Sequence, residues 1–183
     1  VLDAVFDCLT AWLAPILVFT MEECWLERHP GETESVHLRE FPAVPAAWAD
    51  KALTAKWEQI RDIRRVVTGA LEIQRREKVI GASLEAWPTV HITDPALAAA
   101  IEGIDMAEIS ITSGVELSTE EGPADAFRLD EVKGVAVVFA KAQYKRCARS
   151  WRYVPDVGSD ADYPELSARD AQAMRERAAA GLS

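Results

Sequence analysis

The chain has 183 residues, 30 acidic against 20 basic side chains, a formal net charge of −10, and 49% hydrophobic and 27% charged residues. Those proportions exclude a disordered or fibrous chain, and the length allows one large domain or two small ones. The longest apolar stretch, 9–19, contains Thr10 and Pro15 and is shorter than the roughly 20 residues a bilayer span needs. No membrane partner is expected. The first residues carry no basic leader, and an amphipathic pattern is already running at Val1, so the chain reads as a piece of something longer. Three cysteines, Cys8, Cys24 and Cys147, cannot make a disulfide framework; this usage fits the cytoplasm.

Leu2, Val5, Phe6, Leu9 and Leu13 recur at helical steps and predict one apolar face. Cys8 and Cys24 fall in this helix and the next as small hydrophobes. Pro15 interrupts the first helix. Thr20 and Glu23 have the spacing of a capping box, which predicts a short helix to about Arg28, ended by His29-Pro30-Gly31. Residues 35–38 read as extended. Leu53, Trp57, Ile60, Arg64, Val67 and Leu71 predict a long helix over 47–78, with Gly81 past its end. Residues 84–93 read as a strand and 94–101 as a short helix capped by Asp94 with Pro95 behind it. Residues 109–117, 126–129 and 135–141 read as strands, and 167–179 as a closing helix. Trp12, Trp25, Trp48 and Trp57 are read as core or inter-helix packing, and Trp87 as half-buried beside Pro88.

The charge is unevenly spread. Residues 132–155 hold six bases (Lys133, Lys141, Lys145, Arg146, Arg149, Arg152) and no acid. Tyr144, Trp151 and Tyr153 are interleaved with them. Cations neutralise phosphates and planar side chains stack on unpaired bases. A solvated strand end with ordinary surface cations is the competing reading. Charge acts locally, since fields are screened beyond about 8 Å at physiological salt, so an acidic chain can still carry a basic groove. No catalytic residues are assigned: His29, His37 and His91 have no metal-ligand spacing, there is no Gly-rich phosphate loop, and no Gly-x-Ser-x-Gly elbow occurs. Glu22-Glu23 is read as capping rather than as a carboxylate pair.

Four ordered strings carry a resemblance. Leu13-Ala14-Pro15-Ile16-Leu17-Val18-Phe19-Thr20-Met21-Glu22-Glu23-Cys24-Trp25 is similar to a segment of class I aminoacyl-tRNA synthetases. Ser35-Val36-His37-Leu38 with Phe41-Pro42 resembles a second, and Ala70-Leu71-Glu72 with Lys78-Val79-Ile80-Gly81-Ala82-Ser83-Leu84-Glu85-Ala86 a third. Arg146-Cys147-Ala148-Arg149-Ser150-Trp151, then Gly158 and Tyr163-Pro164-Glu165-Leu166-Ser167-Ala168-Arg169-Asp170, resembles a fourth, which binds zinc through four cysteines in many members. Together they resemble the bacterial isoleucyl-tRNA synthetase family. The valyl and leucyl relatives share the first string and fit the third less well.

The resemblance implies an α plus α/β fold. Residues 1–83 would end an anticodon-binding helical bundle, 84–141 would form a small α/β domain, and 142–183 a degenerate zinc-finger-like C-terminal lobe. Cys147 is kept, but Ser150, Ser167 and Asp170 stand where cysteines would be, so no metal is expected and the lobe would hold by packing through Trp151, Tyr153, Tyr163 and Leu166. The parent would be isoleucine–tRNA ligase, joining isoleucine to its tRNA with ATP and Mg²⁺. Both nucleotide-binding signatures of that class are absent from this chain, so it is expected to bind the tRNA for isoleucine without aminoacylating it, and it needs no cofactor. The candidate contacts are Lys145, Arg146 and Arg149 on phosphates, Trp151 on a base, and Arg64, Arg75 and Arg76 on the anticodon stem. A surface ion pair is the alternative for the helical arginines, with Glu72 four residues before Arg76. The alternatives are a protein-interaction module and the equivalent region of a valyl-tRNA synthetase; an independent enzyme would need a polar pocket that the sequence does not offer. Apolar faces left by the missing bundle would favour non-native self-association.

Overall fold

The structure is a computed structural model that describes residues 1–181; the expected segment 142–183 therefore runs two residues past the described chain. The chain forms two compact units, 1–51 and the remainder from Ala52. In the first unit, α1 (Leu2–Leu13) and α2 (Val18–Arg28) are joined across Pro15. Trp25 is buried and stacks on His29 at 4.1 Å and on Phe6 at 6.1 Å between ring centroids, with the Arg39 guanidinium over its ring. The Glu22 carboxylate accepts the Val36 N–H at 2.9 Å and the Ser35 hydroxyl at 3.0 Å. It thereby fixes a 3₁₀ turn, Val36–Leu38, where an extended segment was predicted.

Further expectations fail in this unit. α2 starts at Val18 with no side-chain cap, so Thr20 and Glu23 form no capping box. α1 buries Cys8, Thr10 and Ala11, with Phe6 and Leu13 half-buried. Leu2, Val5, Leu9 and Trp12 are exposed and form a separate stripe at helical spacing with Ile16 beyond the helix end. Small residues pack closer to a neighbouring helix, so the bulkier stripe was the wrong one to bury. Cys24 is exposed, and Trp48 is exposed on a 3₁₀ turn, Ala46–Trp48.

The second unit is built on α3 (Lys51–Arg76) and a four-stranded sheet. The strands are β1 (Thr89–Ile92), β2 (Glu116–Ser118), β3 (Phe127–Leu129) and β4 (Val132–Val138), in the order β2-β1-β4-β3. β1 runs parallel to β2, and β4 runs antiparallel to both β1 and β3. Ile60, Ile63, Val66, Val67, Ala70 and Leu71 of α3 share one core with Val90 and Ile92 of β1 and Val135 and Val137 of β4. The long helix therefore belongs with the sheet, across the boundary expected at residue 83. Leu53 and half-buried Trp57 lie outside the buried stretch of that helix.

α3 ends in a Schellman motif: the Val79 N–H reaches the Gln74 carbonyl at 2.9 Å and the Lys78 N–H the Arg75 carbonyl at 3.0 Å. The left-handed residue is Lys78, φ 60°, not the predicted Gly81. Glu85 instead ties down Gly81 and Ala82, accepting their N–H groups at 2.9 and 3.1 Å. The strand predicted over 84–93 is shortened to β1 by the 3₁₀ turn Ser83–Glu85.

α4 (Pro95–Ala100) is capped by Asp94 as predicted. α5 (Met106–Ser110) takes the first two residues of the strand predicted over 109–117, of which only Glu116 and Leu117 fall in a strand, β2. Asp105 caps it by accepting from the Ala107 and Glu108 N–H groups, and Ile111 stops it in the left-handed region at φ 57°. A β-branched side chain is disfavoured there by about 1–2 kcal/mol. Ile111 is 57% exposed, so it has little burial to lose. Ile111→Gly is expected to raise stability by about 1 kcal/mol, read as a higher urea midpoint with an unchanged slope. α6 (Ala168–Ala179) closes the described chain, with Ser167 as its N-cap.

Candidate nucleic-acid interface

The basic segment leaves β4 and is anchored before it turns. Ala86 bridges Lys141, the Trp87 N–H bonds the Ala140 carbonyl at 2.8 Å, and the Ala142 N–H bonds the Glu85 carbonyl at 2.8 Å. Buried Ser113 docks the next stretch of chain: its hydroxyl accepts the Tyr153 N–H at 2.7 Å, and its carbonyl accepts from the Arg152 guanidinium at 3.0 Å. Residues 145–154 fold back on themselves. Val154 pairs with Lys145, Tyr153 with Arg146, and the Cys147 N–H bonds the Arg152 carbonyl at 2.8 Å. The Trp151 N–H closes the tip onto the Cys147 carbonyl at 2.9 Å.

This knuckle buries one side chain and leaves most of the others in or near solvent. Cys147 is fully buried, while Lys145 and Arg146 are exposed and have no ion-pair partner among the described residues. Trp151 sits at φ 62° and is 61% exposed. A bulky residue in the left-handed region with its ring in water is strained and unburied at once. Tyr144, 45% exposed, meets the edge of Trp87 with centroids 5.1 Å apart and planes at 60°. Trp87, Thr89, Glu116, Lys141, Gln143 and Tyr144 line a shallow cavity of about 260 Å³.

The other candidates are placed less openly. Arg149 turns toward α6, 3.7 Å from Asp170 and with a guanidinium N–H on the Met174 sulfur. Arg64 is half-buried and donates to the Ile109 carbonyl at 2.8 Å, which fixes α5 on α3. Arg75 donates to Glu72 at 2.5 Å and to the Ser83 hydroxyl at 2.8 Å. Glu72 thus pairs three residues on, not with Arg76 four residues on. Arg76 is exposed with no ion pair among the described residues. Lys133 lies at the start of β4 and Lys141 beyond its end, so the six bases are not one patch.

Lys141 joins the two groups of candidates. Its ammonium donates to the Val79 carbonyl at 3.3 Å and lies 3.3 Å from Glu85. The N–H groups of Gly81 and Ala82 hold the Glu85 carboxyl below the usual carboxylate range against partial burial, with Lys141 adding to the effect. The C-terminal turn of α3, with Arg75, Arg76 and Lys78, therefore abuts the start of the basic segment. Lys78, Lys141, Tyr144 and Trp87 were not chosen as site residues from the sequence. Lys78 lies in a string already singled out, and Lys141 and Tyr144 lie in the basic run.

The four positions of the zinc expectation also meet. The Asp170 carboxylate accepts the Ser167 hydroxyl at 2.9 Å and the Cys147 thiol at 3.1 Å, and the Ser167 N–H donates to the Cys147 sulfur at 3.3 Å. Ser150 lies beside the same carboxylate. Burial alone pushes this carboxyl up, but the donors Ser150, Cys147 and Ser167, with the charge of Arg169, hold it below the usual range. One thiol, two alcohols and one carboxylate do not make the Cys and His set of structural zinc, and their donors are already spent on one another. No cluster of three or more His, Cys, Asp or Glu side chains suited to a metal occurs among the described residues. The residues do not fit zinc. Of the four residues expected to pack the lobe, Trp151 is exposed while Tyr153, Tyr163 and Leu166 are half-buried, and the polar cluster and the Ser113 dock add to them.

Residues 1–92 match a family described as the anticodon-binding domain of tRNA ligase. The chain is 59% identical over 179 residues to an isoleucine–tRNA ligase of Agrobacterium fabrum, covering 98% of this chain. It is 56% identical to that of Mesorhizobium japonicum and 53% identical to that of Bartonella henselae. The chain spans 18% of the length of each of these relatives. No helix among the described residues is long and apolar enough to cross a membrane.

Proposed function

The chain belongs to the family of anticodon-binding domains of tRNA ligases, akin to the isoleucine-specific ligases, and we propose that it grips the anticodon stem-loop of the tRNA for isoleucine. The observation that carries this reading is Trp151, held in a strained backbone with its ring in solvent beside the exposed cations Lys145 and Arg146. An anticodon loop offers unstacked bases and closely spaced phosphates, which call for a planar platform and neighbouring cations. Trp151 stacks on a base, Lys145 and Arg146 meet phosphates, and Arg76 and Lys78 extend the positive surface toward the stem. Tyr144, braced by Trp87, supplies a second ring. Arg149, Arg64 and Arg75 position the elements that carry these groups.

The parent reaction in this reading joins isoleucine to tRNA with ATP and Mg²⁺ in the cytoplasm, and this chain contributes recognition to it. The residues at 147, 150, 167 and 170 mark the lobe as a degenerate relative of a zinc-binding one. The uncovered stripe of α1, Leu2, Val5, Leu9 and Trp12, is the face through which copies would self-associate.

The test is a titration of the chain with an isoleucine anticodon stem-loop at several salt concentrations. Binding is expected to weaken steeply with salt. Lys145→Gln with Arg146→Gln is expected to lower the log–log slope by about 1 to 2, since each phosphate contact contributes roughly 0.7–0.9. Undetectable binding at low salt, or an unchanged slope in the double variant, overturns the proposal.

A further inference from the structure

We propose that Asp170 takes the place of a metal ion: its carboxylate is the acceptor at the centre of a hydrogen-bonded cluster that closes the C-terminal lobe without zinc. A structural zinc ion organises a lobe by drawing four donors from two distant segments to one point. The same convergence is achieved here with the polarity reversed. Cys147 and Ser150 come from the knuckle, Ser167 and Asp170 from the start of α6, and the Cys147 thiol and the Ser167 hydroxyl donate to the Asp170 carboxylate with Ser150 beside it. The closing element is therefore an anion that gathers donors, where a metal is a cation that gathers acceptors.

Four features support the assignment. Asp170 and Cys147 are both buried, so a carboxylate there without donors would be costly. Ser167 serves twice, capping the Asp170 N–H at 3.3 Å while donating its own hydroxyl back to the carboxylate. The Cys147 sulfur in turn receives the Ser167 N–H while its thiol donates to the carboxylate, so this side chain is tied into the cluster as both donor and acceptor. The Ala148 N–H bonds the Glu165 carbonyl at 2.9 Å and the Ala168 N–H bonds Asp156 at 2.9 Å, so the backbone around the cluster closes by the same means.

The proposal is tested on the whole chain. Purified protein is expected to hold far less than one equivalent of zinc and to melt at the same temperature with or without a strong chelator. Asp170→Asn, which keeps the shape but turns an acceptor into a partial donor, is expected to shift the unfolding equilibrium about tenfold or more toward the unfolded state. If that variant unfolds only the lobe, the amides of Cys147 and Ser167 lose exchange protection while those of α3 keep theirs, which supports the same assignment. The triple variant Ser150→Cys, Ser167→Cys, Asp170→Cys is expected to bind one equivalent of cobalt with the absorption of a tetrahedral thiolate site, and to regain stability only when metal is added. One equivalent of zinc in the unmodified chain, a melting temperature lowered by chelator, or an Asp170→Asn variant as stable as the original would overturn it.

Discussion

Trp151→Gly is expected to weaken binding of the isoleucine anticodon stem-loop about tenfold or more while raising the stability of the chain by about 1 kcal/mol. The loss of binding reflects the value of a base–aromatic stack, about 1–3 kcal/mol by truncation. The gain in stability comes from the backbone: at φ 62° a side chain costs about 1–2 kcal/mol that glycine does not, and the largely exposed ring returns little by burial. Most tryptophan truncations destabilise a protein, so opposite signs in the two measurements are diagnostic. Trp151→Ala loses the stack without the backbone relief and is expected to bind as poorly with stability nearly unchanged. Fluorescence anisotropy and chemical denaturation read both quantities. A Trp151→Gly variant that binds normally, or one that loses binding only because it unfolds, would remove the central residue from the proposed interface.

How far these features were legible depends on where the determining partner lies along the chain. α3 and α6 were readable because their signals are local: helical apolar spacing in the first, Ser167 before the second. Asp94 was readable for the same reason. α5 was misread because Ile109, Ile111, Val115 and Leu117 alternate like a strand. The competing signal was Asp105, a cap whose accepted N–H groups lie two and three residues on. Glu22 could not be read at all, since its partners Ser35 and Val36 lie beyond a helix end and a turn. The tryptophans mislead in the other direction: hydrophobic content places Trp12, Trp48 and Trp25 in a core, and only Trp25 is there. At the candidate interface, residue types identified Trp151, Lys145 and Arg146, but not which arginines were committed elsewhere. Arg64 reaches a carbonyl 45 positions away and Arg149 a carboxylate on α6, partners set by tertiary packing. The helix start at Ser167 was read from the sequence, yet the use of Asp170 to receive the Cys147 thiol needed the fold.

Gly114→Ala is expected to destabilise the second unit by about 3 kcal/mol, the upper range for overpacking. A methyl group at this position would lie 2.3 to 2.5 Å from three atoms of the Trp87 indole, a distance real contacts do not reach. Neither side can yield easily. The Trp87 backbone is held by the Ala140 carbonyl, and the segment bearing Gly114 by the Ser113 N–H on the Ala86 carbonyl and by the Thr112 hydroxyl on the Gly114 carbonyl. The ring itself is braced against Tyr144. Relief therefore requires the indole to swing out, which would strip Tyr144 of its support and disturb the dock that Ser113 makes with the knuckle. Denaturant unfolding measures the loss, and a double-mutant cycle assigns it: Trp87→Leu in the Gly114→Ala background is expected to recover about 2 kcal/mol relative to additive behaviour, above the roughly 0.5 kcal/mol scatter of independent sites. Additive effects would show that the segment shifts as a body and that the indole is not what makes glycine necessary. Coupling together with weakened stem-loop binding would show that one glycine without a side chain sets the position of a recognition surface many residues away in sequence.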